Sequence, residues 1–138
     1  MAKPNPLRAK IPESEKITIN LGHVDLGQID LLVQDGFYSN RTDLIRTAIR
    51  NQLARHDDAV KKAVVRHKLD LGLRTITREE LEEAKRSGEP LAIHVLGLAV
   101  IASDVSPALA RAAISSVQVL GTLQASSEVK AALQDRIV

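Results

Sequence analysis

The chain has no cysteine, no tryptophan, one phenylalanine and one tyrosine in 138 residues. Without thiols there is no disulfide, no thiolate metal site and no cysteine nucleophile. With aromatics at 1% and hydrophobic residues at 44%, any core must be aliphatic. No apolar run approaches the ~20 residues of a membrane-spanning helix. The first fifteen residues, MAKPNPLRAKIPESE, carry no apolar targeting segment. The expectation is a soluble cytoplasmic protein with no membrane partner.

Catalytic and cofactor patterns are missing as well. The four histidines (His23, His56, His67, His94) are far apart, form no HxH or HxxxH pair and have no carboxylate cluster near them. A transition-metal sensor site would need about three converging ligands, so no metal is expected. No glycine-rich nucleotide-binding pattern is present, and no cofactor is expected. Ser103, Ser115, Ser116, Ser126 and Ser127 fall at turns and helix caps, which accounts for them without a nucleophile. No catalytic residue is expected, and the chain does not read as an enzyme.

What is present is organised around residues 16–55. From Lys16 to Leu21 the sequence alternates strictly: Ile17, Ile19 and Leu21 on one side, Lys16, Thr18 and Asn20 on the other, the period of a β-strand. After Gly22 the period becomes helical. Leu26, Ile29, Leu32 and Val33 share a face, and Gly36 stands where a left-handed C-terminal stop is needed. Asn40 is a good N-cap for a second helix, with Asp43 three residues on to face the free amides, and Ile45, Ala48, Ile49 and Leu53 form its stripe.

One six-residue strand and two helices cannot close a core alone. A second copy would pair the strands antiparallel across a two-fold axis and present Lys16, Thr18 and Asn20 twice. A two-stranded ribbon of that kind fits the DNA major groove. Arg46 and Arg50 are expected to be solvated or paired with Asp43. Phe37 and Tyr38 are expected to plug the turn between the helices.

The pattern K-I-T-I-N-L, a helix, then G-F-Y-S-N-R-T-D-L-I-R-x-A-I-R resembles the ribbon-helix-helix DNA-binding fold. It is closest to the CopG-type repressors and to the DNA-binding half of nickel-responsive regulators, over residues 15–56. The resemblance implies that Lys16, Thr18 and Asn20 read base edges. It also implies that Ser39, Asn40, Arg41 and Thr42, opening the second helix, clamp a phosphate. Residue chemistry agrees with both roles. Asn can contact adenine, Lys guanine and Thr a thymine methyl, and a helix N-terminus is an anion site.

The formal charge of +2 is unevenly spread. Residues 1–69 hold twelve Lys/Arg against eight Asp/Glu, and residues 70–138 hold seven against nine. The basic half is the one expected to meet phosphate. Residues 1–14, with Pro4, Pro6 and Pro12 among Lys3, Arg8 and Lys10, read as a flexible basic arm. Residues 57–70 read as a helical connector, either a continuation of the second helix or a new helix after a break near His56.

The remainder, 71–138, is not covered by the resemblance. LDLGLRTIT reads as an extended segment, and Thr77 with Glu80 caps a helix that Gly88 ends. Val95-Leu96-Gly97 then recurs as Val119-Leu120-Gly121, twenty-four residues on, each strand followed by a serine-capped helix. This is an internal strand–helix repeat, consistent with a small solenoid or parallel stack.

The fold expected is mainly α with short strands: an intertwined ribbon-helix-helix dimer plus a small C-terminal α/β repeat-like module for oligomerisation or sensing. The function expected is a site-specific transcriptional regulator, a repressor, with double-stranded DNA as partner. Residues 71–138 are expected to build a higher oligomer, and a protein or small-molecule effector is left open. Alternative readings are the antitoxin of a toxin–antitoxin pair, a DNA segregation or architectural protein, and a purely structural assembly protein.

Overall fold

A computed structural model describes residues 14–138, which divide into two compact units, one ending at Lys62 and one running from Ala63 to Val138. The expected arm, residues 1–14, lies almost entirely outside the described residues.

In the first unit residues 15–22, outside any helix or strand, lead into α1 (His23–Gln34), a turn, and α2 (Arg41–Arg55). Gly36, at φ +86°, ends α1. The amide of Phe37 donates to the Leu32 carbonyl at 3.0 Å and that of Gly36 to Val33 at 3.1 Å, the paired bonds of a left-handed glycine stop. The helical pattern breaks at His56, and α3 (Asp57–Arg66) begins at once, its first turn carrying Asp57 and Asp58. The boundary between the units falls within α3.

No residue of α1, α2 or α3 is buried. All the buried hydrophobics of the described chain lie at Leu69 or beyond. The apolar stripes read from the sequence exist as helix faces, but within one chain they cover little.

The second unit holds the core. β1 (Asp70–Ile76), α4 (Arg78–Ser87), β2 (Leu91–Ile101), α5 (Pro107–Ala113), β3 (Ile114–Gln124) and α6 (Ser127–Ala132) follow one another, then a 3₁₀ turn (Gln134–Arg136). The three strands form one parallel sheet in the order β1-β2-β3. α4 and α5 are therefore crossovers between neighbouring strands, α6 follows the last strand, and successive helices pack side by side in one layer. The strands are not short: β2 and β3 run eleven residues each.

Local chemistry sets each boundary. The hydroxyls of Thr77, Ser106 and Ser126 accept from the amides of Glu80, Leu109 and Val129 at 3.2, 3.1 and 3.2 Å, one N-cap per helix. Gly88 closes α4 in the left-handed conformation. Ile93, Val95, Ala99 and Ile101 point from β2 into the core beside Val117 of β3, and Leu81, Ala110 and Val129 meet them from the helices. The chain ends against β3, where the Val138 amide donates to the Val117 carbonyl at 2.9 Å. Arg111 grips Asp135 and the Ala132 carbonyl, each at 2.8 Å, fastening the last turn to α5.

The repeat is threefold. Gly97 and Gly121 sit in register with each other, and Gly72 of β1 completes the row. All three have positive φ: 110°, 137° and 119° along the row. The leucines before them, Leu71, Leu96 and Leu120, align likewise.

Candidate nucleic-acid interface

Residues 16–22 belong to no helix and no strand ladder among the described residues, and Gly22, which caps α1, has extended backbone angles. Lys16, Thr18 and Asn20 are exposed, and so is the opposite side: Ile17 at 73% and Ile19 at 59%. Polar and apolar residues of the stretch are thus exposed alike, and among the described residues nothing covers the two isoleucines. Leaving two isoleucines in water costs roughly 25 cal/mol per Å² of apolar area. A partner outside the chain would recover that.

The four expected phosphate residues come together at the start of α2. Asn40 adopts extended backbone angles and its side chain accepts from the Asp43 amide at 2.8 Å. In return the Asp43 carboxylate accepts from the Ser39 amide at 3.0 Å and the Ser39 hydroxyl at 3.1 Å. The result is a reciprocal cap. It leaves the amides of Arg41 and Thr42, the first two of the helix, as those without an intrahelical acceptor.

The charges at this end are already engaged. Arg41 donates to Asp30 of α1 through Nε at 2.7 Å and Nη2 at 2.8 Å, a bidentate pair that ties the two helices. The Arg41 bond holds the Asp30 carboxyl below its usual range, and Asp30 raises Arg41 in turn. Asp43 is lowered as well, first by the Ser39 amide, then by the Ser39 hydroxyl, with the charge of Arg50 a smaller cause. What faces solvent is a helix dipole with two free amides, a neutralised guanidinium and an ionised carboxylate.

The charge asymmetry also resolves more finely. Residues 15–56 hold five Lys/Arg (Lys16, Arg41, Arg46, Arg50, Arg55) against five Asp/Glu (Glu15, Asp25, Asp30, Asp35, Asp43), a net of zero. The excess of the first half sits on either side, in residues 1–14 and in 57–69, where Lys61, Lys62, Arg66 and Lys68 outnumber Asp57 and Asp58. Summing charge over a whole half concealed this.

One expectation fails. Phe37 does not plug the turn between the helices within the chain, because it is 70% exposed; Tyr38 is half-buried. Among the described residues no group of three or more His, Asp or Glu is placed to hold a metal ion. No described helix is long and apolar enough to cross a membrane.

Residues 16–21 alternate polar and apolar in sequence and lead into two helices, the second of them capped by Asn40 and Asp43. The chain belongs to the ribbon-helix-helix transcriptional regulator family, whose model matches residues 12–130. Regulators of this type bind DNA, usually as dimers. The match reaches far beyond residues 15–56 and takes in all three strands of the C-terminal sheet, which the sequence resemblance had left unassigned. Searches of curated proteins and of solved structures returned no match to the chain.

Proposed function

We propose that the protein is a site-specific DNA-binding repressor that acts as a dimer, with residues 16–21 of two copies paired as an antiparallel ribbon in the major groove. The observation that carries this reading is the uncovered side of that segment. Ile17, Ile19 and Leu21 are exposed among the described residues and lie ahead of two helices that contain no buried residue. A second copy supplies both the missing strand and the missing core.

In this reading Lys16, Thr18 and Asn20 read base edges, three from each chain. The start of α2, with Ser39, Asn40, Arg41 and Thr42, pins the DNA backbone. The Arg41 and Thr42 amides and the Thr42 hydroxyl are the groups best placed for a phosphate, since Asn40 and Ser39 are occupied with Asp43 and Arg41 with Asp30. Residues 1–14 and the basic end of α3 add sequence-independent attraction. The domain plan is an arm (1–14), a ribbon-helix-helix domain (15–56), a helical connector (57–70) and a C-terminal oligomerisation or sensing module (71–138).

The test is fluorescence anisotropy on DNA from the region upstream of the protein's own gene, with excess competitor and a salt series. Binding that survives competitor supports a site-specific regulator. Binding that competitor erases points to an architectural or segregation role, and no binding at low salt overturns the reading.

A further inference from the structure

The helices α4, α5 and α6 cover one face of the sheet. The other face carries Leu71, Leu96 and Leu120 in one register row and Leu73, Leu98 and Thr122 in the next. Leu71 is 72% exposed, Leu73 68% and Leu120 50%, while Leu96 and Leu98 are half-buried. Neither row contains a charged residue.

We propose that this leucine face is a self-association surface that pairs with the same face of a second copy of the chain. Three features select that occupant. First, the rows hold no charge, so they offer nothing to a phosphate backbone or to a charged peptide; what complements an aliphatic face is another aliphatic face. Parallel sheets are found with both faces covered, and two sheets stack readily face to face.

Second, the area is that of an assisted contact. Exposed apolar patches of a few hundred Å² mark interaction sites, whereas a free-standing interface buries about 800 Å² per partner. Five leucines fall in the first class, so the face needs its partner delivered at high local concentration. A second copy held by the ribbon is delivered in that way. For this delivery the inference rests on the ribbon-dimer reading.

Third, the chain itself favours this geometry. Among the described residues β1 is paired on one side only, and its two leucines are the most exposed of the face. The face thus continues to an open sheet edge, where a second sheet can overlap it.

The absence of cysteine makes the test clean. In the full chain, Leu98→Cys places one thiol on the central strand of the face, and Lys85→Cys places one on exposed α4 as the control. A short bismaleimide then links two copies only where their thiols meet. The expected result is covalent dimer from Leu98→Cys at least ten times faster than from Lys85→Cys, with the excess removed when Leu73→Glu and Leu120→Glu are added. Equal rates for the two thiols overturn the proposal. Sedimentation of the same samples separates the two readings. A mass of one chain removes the ribbon dimer, whereas a mass of two chains with equal cross-linking rates leaves the ribbon intact and removes only the leucine pairing.

Discussion

Arg41 and Asp30 form a two-bond ion pair that joins the start of α2 to the middle of α1. The guanidinium closest to the proposed phosphate is therefore held by a carboxylate of its own chain. Asp30→Asn keeps the shape and removes the charge. We expect DNA affinity to rise several-fold at low salt, with the gain fading as ionic strength increases and screening shortens the reach of the freed charge. Anisotropy at two salt concentrations reads this directly. An affinity unchanged at low salt would place Arg41 away from the DNA backbone.

Asp30 and Asp43 give the first unit an acid-sensitive stability. Both carboxyls are lowered in the folded chain, Asp30 by Arg41 and Asp43 by Ser39. A depressed folded value means the contribution is complete above the unfolded value of about 4 and is lost as pH falls through the folded values. Far-UV circular dichroism from pH 6 to pH 2 should show helicity falling at the acid end. In Asp43→Asn the amplitude of that acid loss should shrink, and an identical acid limb would mean that the cap does not contribute.

Gly97 lies against the backbone of Gly72. A Cβ at Gly97 would come well under 3.0 Å from the Gly72 carbonyl oxygen, at a φ of +137° that side chains rarely adopt. At Gly72 the φ is +110°, but nothing lies within 4 Å. Gly97→Ala should therefore cost roughly 3–5 kcal/mol, combining backbone strain with a steric shift, and Gly72→Ala only the strain, about 1–2 kcal/mol. Urea denaturation gives both values. Equal costs at the two positions would contradict the close approach in the row.

These glycines also mark what could and could not be read from the sequence. The two copies of Val-Leu-Gly were visible by identity, but the first copy, Asp70-Leu71-Gly72, differs at its leading residue and read only as an extended segment. The spacing of its Leu-Gly to the next, twenty-five residues against twenty-four, was the available signal. Caps were legible because each depends on one side chain and one amide: Asn40, Thr77, Ser106 and Ser126 all behave as written. The sheet topology was less so, since which strands pair is decided by long-range packing. The period of residues 16–21 was plain, while no pairing partner for it stands among the described residues. Phe37 shows the same limit, because an apolar residue at a turn reads as a plug whether its cover comes from its own chain or from elsewhere.

Residues 15–56 carry no net charge, so attraction to DNA must come largely from their flanks. Removing residues 1–13 takes away Lys3, Arg8 and Lys10. The slope of log K against log salt should flatten by about 0.9 for each phosphate those residues neutralise. Discrimination between specific and competitor DNA should hardly change. A slope equal to that of the full chain would assign the phosphate contacts to α2 and α3 instead.

The account stands most directly on Asn20. Asn20 is exposed, and a base-reading asparagine contributes discrimination, not general affinity. Measured by anisotropy on the operator and on random DNA, Asn20→Ala should weaken operator binding by about 1–3 kcal/mol and leave random-sequence binding nearly intact. Equal loss on both DNAs, or no loss on either, would contradict a ribbon that reads bases.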